Sequence, residues 1–159
     1  MLRPSVKSSP PKQVARKTAA GGAITPPGGG PVLFKGNVAD VIKVMRHGIS
    51  AQVILDVAGK LGISQDSLFE SLNLPKSTMK ARISKDQSLS NTEQDRMYRA
   101  NRVWQRTVAV LEDEAAARTW ISRPNRALGG EAPLTLLDTE AGYELVLDTL
   151  GRIEYGVVA

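Results

Sequence analysis

The sequence predicts an all-α protein, with an N-terminal helix-turn-helix domain followed by a small helical domain and a disordered basic arm in front. Three observations predict it. Apolar residues make up 42% of the 159, yet only seven are aromatic, a composition that suits an aliphatic helical core better than a β-sandwich. From about Asn37 onward, apolar residues recur at helical spacing between residues that start and stop helices. No segment alternates apolar and polar over six residues, so little or no sheet is expected.

Residues 1–36 hold six of the nine prolines, six of the fourteen glycines, six Lys/Arg and no acid. So little apolar surface does not offset the entropy lost on ordering, and the stretch is expected to be disordered. Its prolines oppose the amphipathic helix of an organelle transit peptide, and it lacks the apolar core of a secretory signal. It reads as a flexible cationic arm that touches DNA phosphates without sequence choice, or as an inert tail.

The helices follow in order. Val38, Val41, Ile42 and Met45 form a short apolar stripe ended by Gly48. Ser50 is placed to cap a second helix carrying Val53, Ile54, Val57, Ala58 and Leu61, which Gly62 stops. Ser64 caps a third, with Leu68, Phe69 and Leu72 on one face. After the break at Asn73-Leu74-Pro75 a fourth runs from Lys76 to about Ser84, with Met79 and Ile83 inward. The longest helix opens with the capping box Ser90-x-x-Glu93 and continues through Met97, Ala100, Trp104, Val108 and Leu111, with Arg96, Arg99, Arg102 and Arg106 off that stripe. A helix from about Asp113 to Ser122 is expected to bury Ala116 and Trp120. Gly129-Gly130 permits a tight bend, Pro133 starts a short apolar turn, and Asp138 or Thr139 caps a last helix to about Ile153 with Tyr143, Val146, Leu147 and Leu150 inward. Gly142 lets a neighbouring backbone approach that helix closely.

Composition also removes function classes. The chain has no cysteine and one histidine, His47, which excludes disulfides, thiolate metal sites, a Cys nucleophile and His-rich metal sites. No metal or cofactor is expected, and no run reaches the ~18 apolar residues of a membrane span. An enzyme is not expected either. Gly28-Gly29-Gly30 is followed by no G-K-[ST], and His47 lacks a serine or carboxylate partner. Asp138, Glu140, Glu144 and Asp148 recur as a solvated acidic face does. Charge divides along the chain: residues 43–106 carry eleven bases and six acids, residues 112–159 four bases and nine acids. That asymmetry suggests two surfaces for two partners.

The helix–turn–helix spacing over about 64–84 points to DNA. In this motif the N-terminal residues of the second helix reach base edges in the major groove. Ser77 and Thr78 can bond bases or phosphates, and Lys76, Lys80, Arg82 and Lys85 supply cations. A plain helical hairpin, in which Ser77 and Thr78 only serve the helix start, has the same spacing. DNA affinity should fall steeply with salt and weaken on Lys80→Ala or Arg82→Ala.

The most distinctive stretch is Trp120 to Ala159, with Trp120, Pro124, Asn125, Ala127-Leu128-Gly129-Gly130, Pro133-Leu134, Leu136-Leu137, Thr139, Gly142, Val146, Leu150 and Arg152-Ile153-Glu154-Tyr155-Gly156 before the terminal Ala159. It resembles the toxin-binding domain of the Xre/MbcA/ParS-type antitoxins, partners of RES-domain toxins. The helix from Ser90 to Leu111 is similar to that family's central helix, so the likeness spans roughly Gly48 to Ala159. The Pro/Gly-rich arm departs from the family, and nothing is carried over to it.

The resemblance implies an antitoxin that blocks an NAD-degrading RES toxin by occluding its active site. The toxin-binding residues it implies are Arg152, Glu154, Tyr155, Gly156, Val157, Val158 and Ala159. It also implies a homodimer that represses its own operon through the helix-turn-helix. The place of action is then the bacterial cytoplasm, on the nucleoid when bound to the operator. Expected domains are the arm (1–36), a DNA-binding domain (37–111) and a toxin-binding domain (112–159), with the Met97/Trp104/Leu111 helix, whose Met/Trp stripe reads as core, taken as the one that forms the dimer. The alternative is a plain transcription regulator whose C-terminal half only dimerises.

Overall fold

The computed structural model describes residues 37–156; the arm over 1–36 and residues 157–159 lie outside it. Among the described residues the chain forms seven α-helices and two short 3-10 helices, with no strand.

α1 (Val38–His47) is capped by Asn37, whose side chain accepts from the Asp40 amide, and ends at Gly48 with φ +94°. Its apolar stripe is only partly used. Val41 is buried, while Val38 and Ile42 are 65% and 42% exposed. α2 (Val53–Leu61) buries the five expected residues and ends at left-handed Gly62. Ser50 does not cap it; Gln52 stands at the cap position without a side-chain capping bond, its side-chain amide donating instead to Ile83 O at 2.8 Å. Ser50 instead accepts from the Gln52 amide, donates to Asp86 Oδ1 and faces Ser88 in an isolated antiparallel bridge. Two backbone bonds, Ala51 N to Gln87 O (2.9 Å) and Leu89 N to Ile49 O (2.8 Å), close that bridge. The segment before α2 is thereby tied to the segment after α4, a long-range pairing that outcompetes a local cap.

α3 (Gln65–Ser71) is capped by Ser64, and α4 (Lys76–Ser84) begins after Pro75. Between them Asn73 takes φ +52°, which an Asn tolerates better than most residues. α5 (Asn91–Leu111) starts at the expected capping box, with both Ser90–Glu93 bonds made. Its Met97 is fully buried and Trp104 nearly so. These side chains fill the protein's own core, and Leu111 at the end of the stripe is half-buried.

α6 (Glu114–Ser122) is capped by Asp113. It buries Ala117 and Ile121, whereas Ala116 is exposed and Trp120 half-buried. The expected face was one residue out of phase. A short 3-10 helix (Arg126–Leu128) follows, ended by Gly129 and Gly130 at φ +71° and +86°. A second 3-10 helix, Pro133–Asp138, leads into α7 (Glu140–Glu154), capped by Thr139. One hydrophobic cluster takes in Ile54, Phe69, Met79, Met97, Val103, Ile121, Leu137 and Leu150, with no break between the helix-turn-helix and the C-terminal helices. α5 is the shared spine, packed against α2 on one side and α6 and α7 on the other.

Candidate functional sites

The first site is α4. Apart from Met79 its residues are exposed or half-buried. Lys76, Ser77, Thr78 and Lys80 are all exposed, and Lys85 is exposed at the helix end. The turn that presents this helix is pinned from α5. Arg96 donates to the carbonyls of Asn73 (2.7 Å) and Leu72 (3.3 Å), groups left without partners where α3 ends.

Two of the lysines are tied back to α3. Lys76 Nζ meets Glu70 Oε1 at 2.5 Å, and Lys80 Nζ meets Asp66 Oδ1 at 3.0 Å. The Lys80 hydrogen bond holds the Asp66 carboxyl below its ordinary range, and the Glu70 bond pushes Lys76 up. Both are solvent-exposed pairs of the kind that contributes little to stability, so phosphate oxygens can displace the acids. Arg82 is placed differently. Its side chain is 28% exposed, Nε lies 3.3 Å from Glu93 Oε2, and Nη1 donates to Ser88 O at 3.0 Å. It braces the end of α4 against the start of α5.

The second site is the end of α7. Ile153 and Tyr155 are 41% and 79% exposed. A shallow hollow of about 580 Å³ runs beside them, lined by Glu144, Leu147, Asp148, Gly151, Arg152 and Tyr155. Arg152 pairs with Asp148 at 2.9 Å along its own helix. Glu154 turns the other way, to Arg106 of α5, with Nη1 to Oε1 at 3.2 Å and a second bond from Nη2 to Oε2. Gly156 is left-handed at φ +65° and its amide donates to Ile153 O. Val157, Val158 and Ala159 lie outside the described residues.

Sequence reasoning missed the contacts of three arginines. Arg106 was seen only as lying off the apolar stripe, although Arg99 and Arg106 stand two turns apart on one helix face, and Glu140 and Glu154 about four turns apart on another. Arg99 donates to Leu137 O (2.8 Å) and Asp138 O (3.1 Å) and reaches Glu140 at 3.3 Å. Arg118 of α6 donates to Lys60 O at 2.9 Å and lies 5.6 Å from the Trp104 ring centre, joining the C-terminal helices to the end of α2. No local sequence signal marks it. The basic middle and acidic end of the chain therefore partly neutralise each other inside one molecule.

Comparison with known proteins finds two family models that follow one another along the chain. Residues 40–102 match the family described as the antitoxin Xre-like helix-turn-helix domain. Residues 106–156 match the antitoxin Xre/MbcA/ParS C-terminal toxin-binding domain. A Sphingobium protein named Prs ADP-ribosylating antitoxin is 30% identical over 158 aligned residues, covering 91% of this chain and 96% of the relative. An Antitoxin Xre of Yersinia enterocolitica is 30% identical over 118 residues, 74% of this chain and 80% of its own length. Another Antitoxin Xre, from Photorhabdus laumondii, is 40% identical over 68 residues, 42% of this chain and 46% of that one. With both domains in this order and a relative aligned over nearly its whole length, the chain belongs to the Xre/MbcA/ParS antitoxins, the helix-turn-helix-bearing members of toxin–antitoxin pairs.

Proposed function

We propose that this antitoxin neutralises a cognate RES-domain, NAD-degrading toxin by inserting its C-terminal end into the toxin's active site, and represses its own operon as a homodimer through α4. The carrying observation is the end of α7. The toxin-binding match stops at residue 156, where Tyr155 is 79% exposed beside a left-handed Gly156. Large exposed aromatics of this kind are the usual anchors of protein interfaces. The toxin-facing residues are Arg152, Glu154, Tyr155 and Gly156, with Val157, Val158 and Ala159 beyond them. The Sphingobium relative's name speaks of ADP-ribosylation, a reaction that consumes NAD and so supports a toxin acting on that nucleotide.

On DNA, Ser77 and Thr78 read base edges at the start of α4, and Lys76, Lys80 and Lys85 meet phosphates. Arg82 acts there by holding the helix in place as much as by its charge. The homodimer sets two such helices about one DNA turn apart, on the nucleoid in a bacterial cytoplasm. The test is co-expression with the product of the neighbouring gene, using the full chain or a folded chain ending at Ile153. Growth and cellular NAD should be protected by the first and not by the second. Protection by both sinks the tail-insertion reading, and a harmless neighbour leaves the chain a plain regulator.

A further inference from the structure

The last residue of α7 is held by a two-bond grip from α5. Glu154 is that residue, and the Arg106 guanidinium holds both of its carboxylate oxygens, Oε1 from Nη1 at 3.2 Å and Oε2 from Nη2. A planar fork meeting a planar carboxylate fixes orientation as well as distance, which a lysine could not do. Helix ends otherwise fray, because their last carbonyls have no partners. Here the last turn is closed, with the Tyr155 amide on Gly151 O (3.1 Å) and the Gly156 amide on Ile153 O (3.2 Å). Gly156 then takes the left-handed conformation common just past a helix end.

Nearby charged groups pair elsewhere: Arg99 with Glu140, and Arg152 with Asp148 along α7 itself. Arg106–Glu154 is the ion pair that joins the last turn of α7 to α5. A Glu154 that reached into a toxin's cleft would have to leave a two-bond partner first.

We infer that Glu154 and Arg106 are positioning residues: they clamp the last turn of α7 to α5, so that Tyr155 and Gly156 are presented to the toxin in a fixed orientation. The inference rests on the tail reading of the proposed function and goes beyond it by taking Glu154 out of the contact surface. Pre-ordering matters because a tail that samples many directions binds with an affinity reduced by the fraction of time it points correctly.

The test uses the full chain carrying Glu154→Gln, Arg106→Gln, or the exchange Arg106→Glu with Glu154→Arg. One readout needs no toxin: backbone amide order parameters of Tyr155 and Gly156, with the rate at which a carboxypeptidase releases the terminal residues. The other is affinity for the neighbouring-gene toxin. Each single variant should lower the order parameters, speed release several-fold and weaken toxin binding about tenfold, with thermal stability nearly unchanged because the pair is partly exposed. The exchange should restore both readouts.

Unchanged order at Tyr155 and Gly156 in both single variants overturns the clamp. So does weaker toxin binding in Glu154→Gln alone with Arg106→Gln silent, since Glu154 would then touch the toxin itself. If a single variant fails to fold, Glu154→Asp, which keeps charge but shortens reach, takes its place under the same criteria. A chain ending at Glu154 keeps the clamp and lacks the tail. Full inhibition by that chain overturns the tail reading and this inference with it, whereas lost inhibition beside unaltered single variants overturns the clamp alone.

Discussion

At Gly142 a methyl group would sit 1.9 Å from the Leu136 carbonyl oxygen, because the second 3-10 helix lies directly on the first turn of α7. The obstacle is backbone and not the end of a flexible side chain, so it cannot swing aside. An Ala in a helix normally gains up to about 1 kcal/mol over Gly, but overpacking of this kind costs about 1–3 kcal/mol or more. Gly142→Ala is therefore expected to destabilise the protein by about 2 kcal/mol in urea unfolding, despite its better helix propensity. A gain in stability would mean that the 3-10 helix moves away at no cost. Asn101 is the opposite kind of residue: it is 1% exposed on α5, with neither its side-chain nitrogen nor its oxygen bonded to protein. Nothing in its sequence neighbourhood hints at this.

Among the elements, α4 carries a positive charge that is partly masked by α3. The Asp66 carboxyl, held low by Lys80, keeps the pair intact above its depressed pKa and loses it as pH falls through that value. Acid thus frees Lys80, and Asp66→Asn does the same at neutral pH. That variant is expected to bind operator DNA more tightly, with a salt dependence steeper by about one unit of slope, in titrations at several salt concentrations. An unchanged slope would show that Lys80 meets no phosphate. Element bounds themselves were largely legible, because caps and stop signals act within four residues. Ser64, Ser90 with Glu93, and Thr139 cap the helices they were expected to cap. The face of α6 was not legible: Glu114–Ser122 offers apolar residues at two adjacent phases, and only packing against α5 selects Ala117 and Ile121.

For the whole molecule, the two family matches meet inside α5, at residues 102 and 106, yet the hydrophobic cluster runs through without a seam. Arg118 on Lys60 O and Arg96 on the turn before α4 add polar ties across the same junction. The described residues should therefore unfold as one cooperative unit. Far-ultraviolet circular dichroism and the fluorescence of Trp104 and Trp120 should give coincident urea transitions. Two separated transitions would mean that the helix-turn-helix and the C-terminal helices are independent domains.

The sequence by itself determined the helices, the caps at Ser64, Ser90 and Thr139, the close approach at Gly142 and the family of the C-terminal stretch. All of these depend on residues near one another in the chain, where backbone geometry and hydrogen-bond reach leave few choices. Only the tertiary structure decided which cations remain available. Lys76 and Lys80 are shared with α3, Arg82 braces α5, and Glu154 is held by Arg106 across 48 residues. Charge pairing across such distances depends on how helices cross, and periodicity along one helix does not carry that information.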